Sequence, residues 1–330
     1  MSLLIGLVYD LRSDYLAEGY SPERVAEFDS DETIAAIEAA LQSAGYRTER
    51  IGSARALAAA LVAGRRWNLV FNIAEGLSGR SREAQAPAIL ELFDIGYTFS
   101  DPLVCAATLD KAVAKRLVRS ARLPTPPFAV VREEADLAAV KLAYPLFAKP
   151  LAEGTGKGIH ERSRLESPEQ LAEVCRDLLA RFAQPVLVEE YLPGREFTVA
   201  ILGTGAEARV LGTMEIAVRQ EVGTAIYSYE TKEKCEQQVR YSAVPAGPLK
   251  RKVEKLALDC YRTLECRDGG RVDVRCDRRG RPAFMEVNPL PGLHPTHSDL
   301  PMIATQEGMA YADLLGAVVA SATRRLGLAL

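Results

Sequence analysis

Residues 271–297 read RVDVRCDRRGRPAFMEVNPLPGLHPTH, and the alternation inside this stretch decides the fold. In Arg271-Val272-Asp273-Val274 and in Phe284-Met285-Glu286-Val287-Asn288, polar and apolar residues alternate at period two, so each strand sends its polar side chains to one face. The intervening Asp277-Arg278-Arg279-Gly280-Arg281-Pro282 is turn chemistry and predicts a hairpin. Antiparallel pairing then sets Asp273 opposite Glu286 and Asn288. These hard oxygen donors suit Mg²⁺, which keeps several waters and takes phosphate oxygens beside one or two carboxylates. The alternative is a solvated strand face with ordinary charges.

Working outward, the 330 residues exceed one ordinary core, and 48% hydrophobic with 26% charged residues is globular composition. A net charge of -3 argues against the broad basic footprint of a nucleic-acid binder, so phosphate binding, if any, must be local. Six scattered cysteines without a CxxC pair suggest neither zinc nor a disulfide framework, so reduced thiols in a cytosol are the expectation. The N-terminus shows no charged leader or cleavage site, and no apolar run reaches membrane length.

Residues 3–8, 46–51 and 67–73 read as strands, with helices predicted at 54–62 and 84–93 and from Asp29 and Glu32, whose spacing fits a capping box. Strand and helix alternate, which predicts a parallel sheet whose ligands lie beyond the carboxyl ends of the strands. The polar connection 10–30 is unusually long, and such connections are often functional. A short strand is expected at 96–101, a helix from Asp110-Lys111 to 121, and a proline-marked boundary at LPTPPF, 123–128. Strands at 146–150 and 186–190 flank a helix at 169–182; later helices are expected at 250–264 and 311–324.

Other motifs carry less alone. Glu153-Gly154-Thr155-Gly156-Lys157-Gly158 allows the backbone to wrap an anion, although it matches neither GxxxxGK[ST] nor GxGxxG. Lys111 and Lys149 lie beside apolar sequence, where a lysine is costly to bury without an anion partner, yet each alone is more often a surface lysine. Glu189-Glu190-Tyr191-Leu192 has the form of a hinge that offers backbone groups to a base edge, with Glu196 for ribose hydroxyls, or else of a strand with charged ends. Only three histidines and no GxSxG elbow occur, which speaks against a serine hydrolase. His294 and His297 fall in a loop, where substrate contact is the better functional reading than metal.

Taken in order, these segments resemble the ATP-grasp superfamily and, within it, the D-alanine–D-alanine ligases, over most of the chain. The resemblance rests on TLDK at 108–111, LPTPPF, PLFAKPLAEGTGKG at 145–158, VEEYLPGREFTVAIL at 188–202 and YETK at 229–232. It continues in GRVDVRCD at 270–277, MEVNPLPG at 285–292, His297-Ser298 and PMIATQEGMAY at 301–311. It implies an α/β fold of three parts: an N-terminal parallel-sheet domain at 1–103, a central ATP-grasp part with the glycine-rich loop at 104–188, and a C-terminal part with the metal site at 189–330. It implies ATP and Mg²⁺ (or Mn²⁺), with Lys111, Lys149 and Lys232 on phosphates and residues 153–158 closing over them. Glu189, Glu190, Tyr191, Leu192, Glu196 and Met285 would hold the nucleotide, and Asp273, Glu286 and Asn288 the metal. Arg271 and the Gly292 amide match the positions that stabilise an oxyanion. The chemistry implied is activation of a carboxylate to an acyl phosphate followed by amine attack; the partners are small amino acids or peptides, and by analogy a second subunit.

Three departures fall on the substrate side. The GGxSxE-type loop, whose glutamate holds the first substrate's amino group, is replaced by Tyr9-Asp10-Leu11-Arg12-Ser13-Asp14 and the long segment 15–30. The usual histidine and glycine after the third strand become Glu75-Gly76, and Glu233 follows Lys232 where a tyrosine is common. The expectation is a ligase with altered amino-acid pockets, Glu75, His297 and Ser298 among them. Its rivals are a D-alanine–D-alanine ligase of cell-wall synthesis and a nucleotide-binding module without catalysis.

Overall fold

The computed structural model describes residues 2–218 and 239–328, so Lys232, Glu233 and Cys235 lie outside the described residues. The chain opens with β1 (Leu4–Val8), whose apolar side chains leave it buried on both faces. A short helix α1 (Arg12–Ala17) follows inside the long connection. Helix α2 (Asp31–Ser43) then leads to β2 (Arg47–Gly52), α3 (Ala54–Val62) and β3 (Leu69–Asn72). The three strands form a parallel sheet in the order β2-β1-β3. The expected strand at 96–101 contributes one parallel bridge, Val70 to Tyr97. The cap of α2 is Ser30, whose hydroxyl accepts from the Thr33 amide; this corrects the expectation that Asp29 begins it.

Helix α4 (Gln85–Leu92) is followed by α5 (Pro102–Leu109), which the sequence reading does not predict, and by α6 (Lys111–Ser120), capped by Asp110. Strands β4 (Phe128–Val131), β5 (Leu146–Pro150) and β6 (Arg164–Leu165) precede α7 (Pro168–Phe182) and β7 (Val186–Glu190). They make an antiparallel sheet in the order β4-β7-β5-β6, with Val174, Cys175 and Leu178 of α7 in its core.

The third sheet contains β8 (Glu196–Leu202), β9 (Arg209–Val218) and β10 (Val239–Ala243). After α8 (Pro248–Thr263) come β11 (Gly269–Cys276) and β12 (Pro282–Asn288), then α9 (Asp299–Gln306) and α10 (Tyr311–Leu326). Its order is β10-β9-β8-β11-β12, all antiparallel. One core joins Ile5, Leu7 and Phe71 of the parallel sheet to Leu315, Val318 and Val319 of α10 and to Leu202 of β8. Burial of these side chains, at roughly 1.5–3 kcal/mol each, fixes the first sheet against the third and so fixes the cleft between them.

Candidate functional site

The hairpin forms as the alternation requires. Asp273 pairs directly with Glu286 and Arg271 with Asn288, so all four side chains share a face, and Asn288 lies diagonal to Asp273 rather than opposite it. The Asn288 amide is 3.4 Å from Asp273 Oδ2, and Arg271 donates to the same oxygen at 3.0 Å. A second Arg271 nitrogen bonds Asp299 of α9. No group of three or more His, Cys, Asp and Glu side chains suited to a metal occurs among the described residues. Two carboxylates and an amide oxygen on one strand face nevertheless fit Mg²⁺, which needs few protein ligands when phosphates supply others.

Lysines converge on this face. The ammonium of Lys149, from β5, is 3.5 Å from Glu286 and 3.5 Å from Glu189, and that of Lys111 is 3.6 Å from Glu286. Lys111 also donates to the Glu153 carbonyl at 2.6 Å. Burial lowers the Lys149 pKa, but Glu189 and Glu286 outweigh it and hold the ammonium above the usual lysine range. Lys115, which no motif marks, joins them: one turn after Lys111, it is fully buried and 2.9 Å from Glu189. The Glu189 side chain therefore serves this charge cluster, where burial opposes its ionisation and the two ammonium groups overcome the opposition.

Glu190, Tyr191, Leu192, Glu196 and Met285, expected to hold the nucleotide, border neither the cavity beside this face nor the second one across the glycine-rich loop. Glu190 accepts from the Ala143 amide at 3.3 Å, and the Tyr191 ring stacks on Phe147 with centroids 6.3 Å apart. Leu192 is buried, Glu196 pairs with Arg275 at 3.2 Å, and Met285 is half-buried on β12.

The glycine-rich loop follows β5 directly. Thr155, Gly156 and Gly158 adopt positive φ, and a Cβ at Gly158 would come within 2.6 Å of Pro150, so the glycine permits the turn. A Cβ at Gly154 would collide with the carboxylate of Glu27. No sequence motif announces that contact. Glu27 accepts from the Gly154 amide at 2.6 Å, from Lys157 at 2.7 Å and from Arg82 at 2.9 Å. Burial would raise its pKa, but Arg82 and Lys157 hold it below the usual carboxylate range. Lys157 also pairs with Glu153 at 2.7 Å, so two carboxylates already engage its charge.

Glu27 belongs to the long connection after β1, which closes on itself. Leu11 and Asp29 form a parallel bridge, and Tyr15 packs on Phe28 at 4.6 Å between ring centroids. Asp10, at the carboxyl end of β1, accepts from the Gly76 amide at 2.8 Å and ties this loop to the one after β3. Both loops thus sit where a parallel sheet gathers its ligands.

Between these parts lies a cavity of about 370 Å³, bordered by Glu27, Asp29, Glu75, Lys111, Arg271 and Glu286 among others. Gly292, His297 and Ser298 line it too, and the Ser298 hydroxyl accepts from the His294 amide at 2.9 Å. The structure therefore gathers the hairpin, Lys111, the start of the glycine-rich loop, Glu75 and the 292–298 loop around one space. Lys149 and Glu189 stand behind Glu286, and Lys157 lines a second cavity on the far side of the loop. No described helix is long and apolar enough to cross a membrane.

Residues 117–320 match the family model described as D-ala D-ala ligase C-terminus. The chain is 36% identical over 288 residues to a D-alanine–D-alanine ligase of Bordetella pertussis, covering 86% of this chain and 87% of that one. It is 34% identical over 260 residues to the Sinorhizobium fredii protein y4sG, covering 78% and 75% respectively. A Bacillus anthracis D-alanine–D-alanine ligase, whose structure is complexed with ATP, superimposes with a TM-score of 0.75 over 98% of each chain at 23% identity. With its parallel N-terminal sheet and two antiparallel sheets, the chain has the ATP-grasp fold and belongs to the D-alanine–D-alanine ligase family.

Proposed function

We propose that the protein is an ATP-dependent carboxylate–amine ligase that forms an amide bond through an acyl phosphate and releases ADP and phosphate, with amino-acid pockets of its own. The observation that supports it most is the meeting of Glu286 with Lys111 and Lys149 on the face that also carries Arg271, Asp273 and Asn288. Phosphoryl transfer calls for positioning and charge neutralisation more than for a nucleophilic side chain, and this face offers both.

In this reading residues 1–103 present the donor side, and the nucleotide lies between 104–188 and 189–330. Lys111 and Lys149 neutralise phosphate oxygens, and Lys232 has the same role by family resemblance. The hinge 189–192, Glu196 and Met285 hold the nucleoside. Asp273, Glu286 and Asn288 hold Mg²⁺, which when bound neutralises phosphate charge. A donor carboxylate oxygen attacks the γ-phosphorus, the bond to ADP breaks, and an acyl phosphate forms. The acceptor amine then attacks the acyl carbon, and Arg271 with the Gly292 amide stabilises the resulting oxyanion before phosphate leaves. Glu27, by holding residues 154–157 over the site, keeps out water that would hydrolyse the acyl phosphate.

The test is isotopic. A donor labelled with ¹⁸O in its carboxylate should pass one labelled oxygen into the released phosphate; unlabelled phosphate would exclude the acyl-phosphate route. A second reading, D-alanine as both donor and acceptor, is favoured by the 36% identity to the B. pertussis ligase. Glu75 and the segment 10–30, both bordering the cavity, favour a different donor.

A further inference from the structure

The donor end of the cavity has a charge imbalance. Among its lining residues, Glu27 is matched by Arg82 and Lys157, Glu153 by Lys157, Glu286 by Lys111, and Asp299 by Arg271. Asp29, Glu75 and Glu83 make no side-chain hydrogen bond or ion pair within 4.0 Å among the described residues, and Arg12 is the cation left near them. Three carboxylates therefore have no ion-pair partner of their own among the described residues: Arg82 and Lys111, which also lie near Glu83, are already paired with Glu27 and Glu286, and Arg12 is the remaining guanidinium on the cavity wall.

Glu83 makes the imbalance informative. It sits in a single 3₁₀ turn, Arg82–Ala84, is only 8% exposed, and borders the cavity. A carboxylate that deeply buried is costly unless paired or protonated. Burial, reinforced by Glu27 against the opposing pull of Arg82 and Lys111, raises its pKa to about 7. Burial and its neighbours Glu83, Glu27 and Asp29, against Arg82, raise Glu75 well above the carboxylate range. An ion pair with a ligand would be a better partner than a proton.

We propose that Asp29, Glu75 and Glu83 form a subsite for the cations of a dibasic donor, an amino acid with a second ammonium or guanidinium group besides its α-ammonium. The assignment rests on the ligase reading for the word donor; the cation subsite itself rests on the cavity. A cation bound beside these carboxylates favours their ionised form; with all three ionised beside Arg12, a single ammonium leaves one unmatched and two positive charges balance the set. Arg271 and Glu286 border the same cavity, within reach of the donor carboxylate.

The experiment compares ornithine and lysine with norleucine, which has a similar chain without the second charge, each as D and L enantiomers. ADP release with Mg²⁺ and ATP and calorimetric binding to the full-length protein are both read. The dibasic amino acid is expected to exceed norleucine by about tenfold to a hundredfold in kcat/KM and in affinity, the range of a buried hydrogen bond to a charged group. Glu83→Gln and, separately, Glu75→Gln should each collapse that ratio toward one. Equal use of norleucine, or a preference that survives both substitutions, overturns the proposal and leaves the ligase reading intact. Binding of ornithine or lysine that is lost in Glu83→Gln, with no ADP release by any amino-acid pair, sustains the subsite and overturns the ligase reading.

Discussion

Replacing Glu27 by alanine removes the carboxylate on which the glycine-rich loop, α1–α2 connection and Arg82 turn all converge. Arg82 is left buried without its carboxylate partner, the Gly154 amide loses its 2.6 Å acceptor, and Lys157 retains Glu153. Removing one member of a buried ion pair costs about 3–5 kcal/mol, because a desolvated charge remains unmatched. Glu27→Ala should therefore lower the unfolding free energy by about that amount in urea titration at pH 7.5. The folded-state pKa of Glu27 is depressed, so its stabilisation is present above the unfolded value and is lost as pH falls through the folded one. The difference between wild type and variant should accordingly shrink on acidification. Glu153→Ala serves as a control with a smaller effect, since Lys157 then keeps Glu27. A Glu27→Ala cost below about 0.5 kcal/mol, the size of an ordinary surface substitution, or one that does not change with pH, would show that Glu27 is not the ionised member of a buried ion pair.

Arg271→Ala should lower kcat about a hundredfold to a thousandfold, the usual effect of deleting one oxyanion donor, while KM for ATP changes little; steady-state kinetics on both substrates checks this. Glu286→Gln should raise the Mg²⁺ concentration for half-maximal ADP release by about tenfold or more, measured by metal titration at saturating ATP. Glu83→Gln should stabilise the fold at alkaline pH. The folded-state pKa of Glu83 is raised, so its favourable contribution exists below the unfolded value and is lost as pH rises toward 7. The variant's advantage in urea unfolding should grow by about 2–3 kcal/mol between pH 5 and pH 8, because each tenfold difference in proton affinity between folded and unfolded states is worth about 1.4 kcal/mol.

The hairpin was legible because a two-residue period is a local signal, and Asp273 facing Glu286 follows from it directly. Strands β1, β3, β5 and β7 were equally readable from short apolar runs bounded by turn residues. Helix α5, PLVCAATL, was not: nearly every position is apolar, so no amphipathic period separates it from a strand. The hinge reads in the sequence as backbone chemistry, whereas the side chain of Glu189 belongs to Lys115 and Lys149. Lys115 carried a faint signal, since it lies four residues after Lys111 on the same helical face. Glu27 and Glu83 carried none. Their roles depend on partners 127 and 130 residues away in one case and on enclosure by a cavity in the other, and no local pattern encodes either.

The most direct measurement is ADP release by the purified protein with Mg²⁺ and ATP across single and paired D- and L-amino acids, with mass spectrometry of the products. Particular pairs should stimulate release, the product should be their amide, and the preferred donor should differ from D-alanine. Efficient synthesis of D-alanyl-D-alanine from D-alanine alone would contradict the altered pockets, and the absence of any amide from every pair would contradict the ligase.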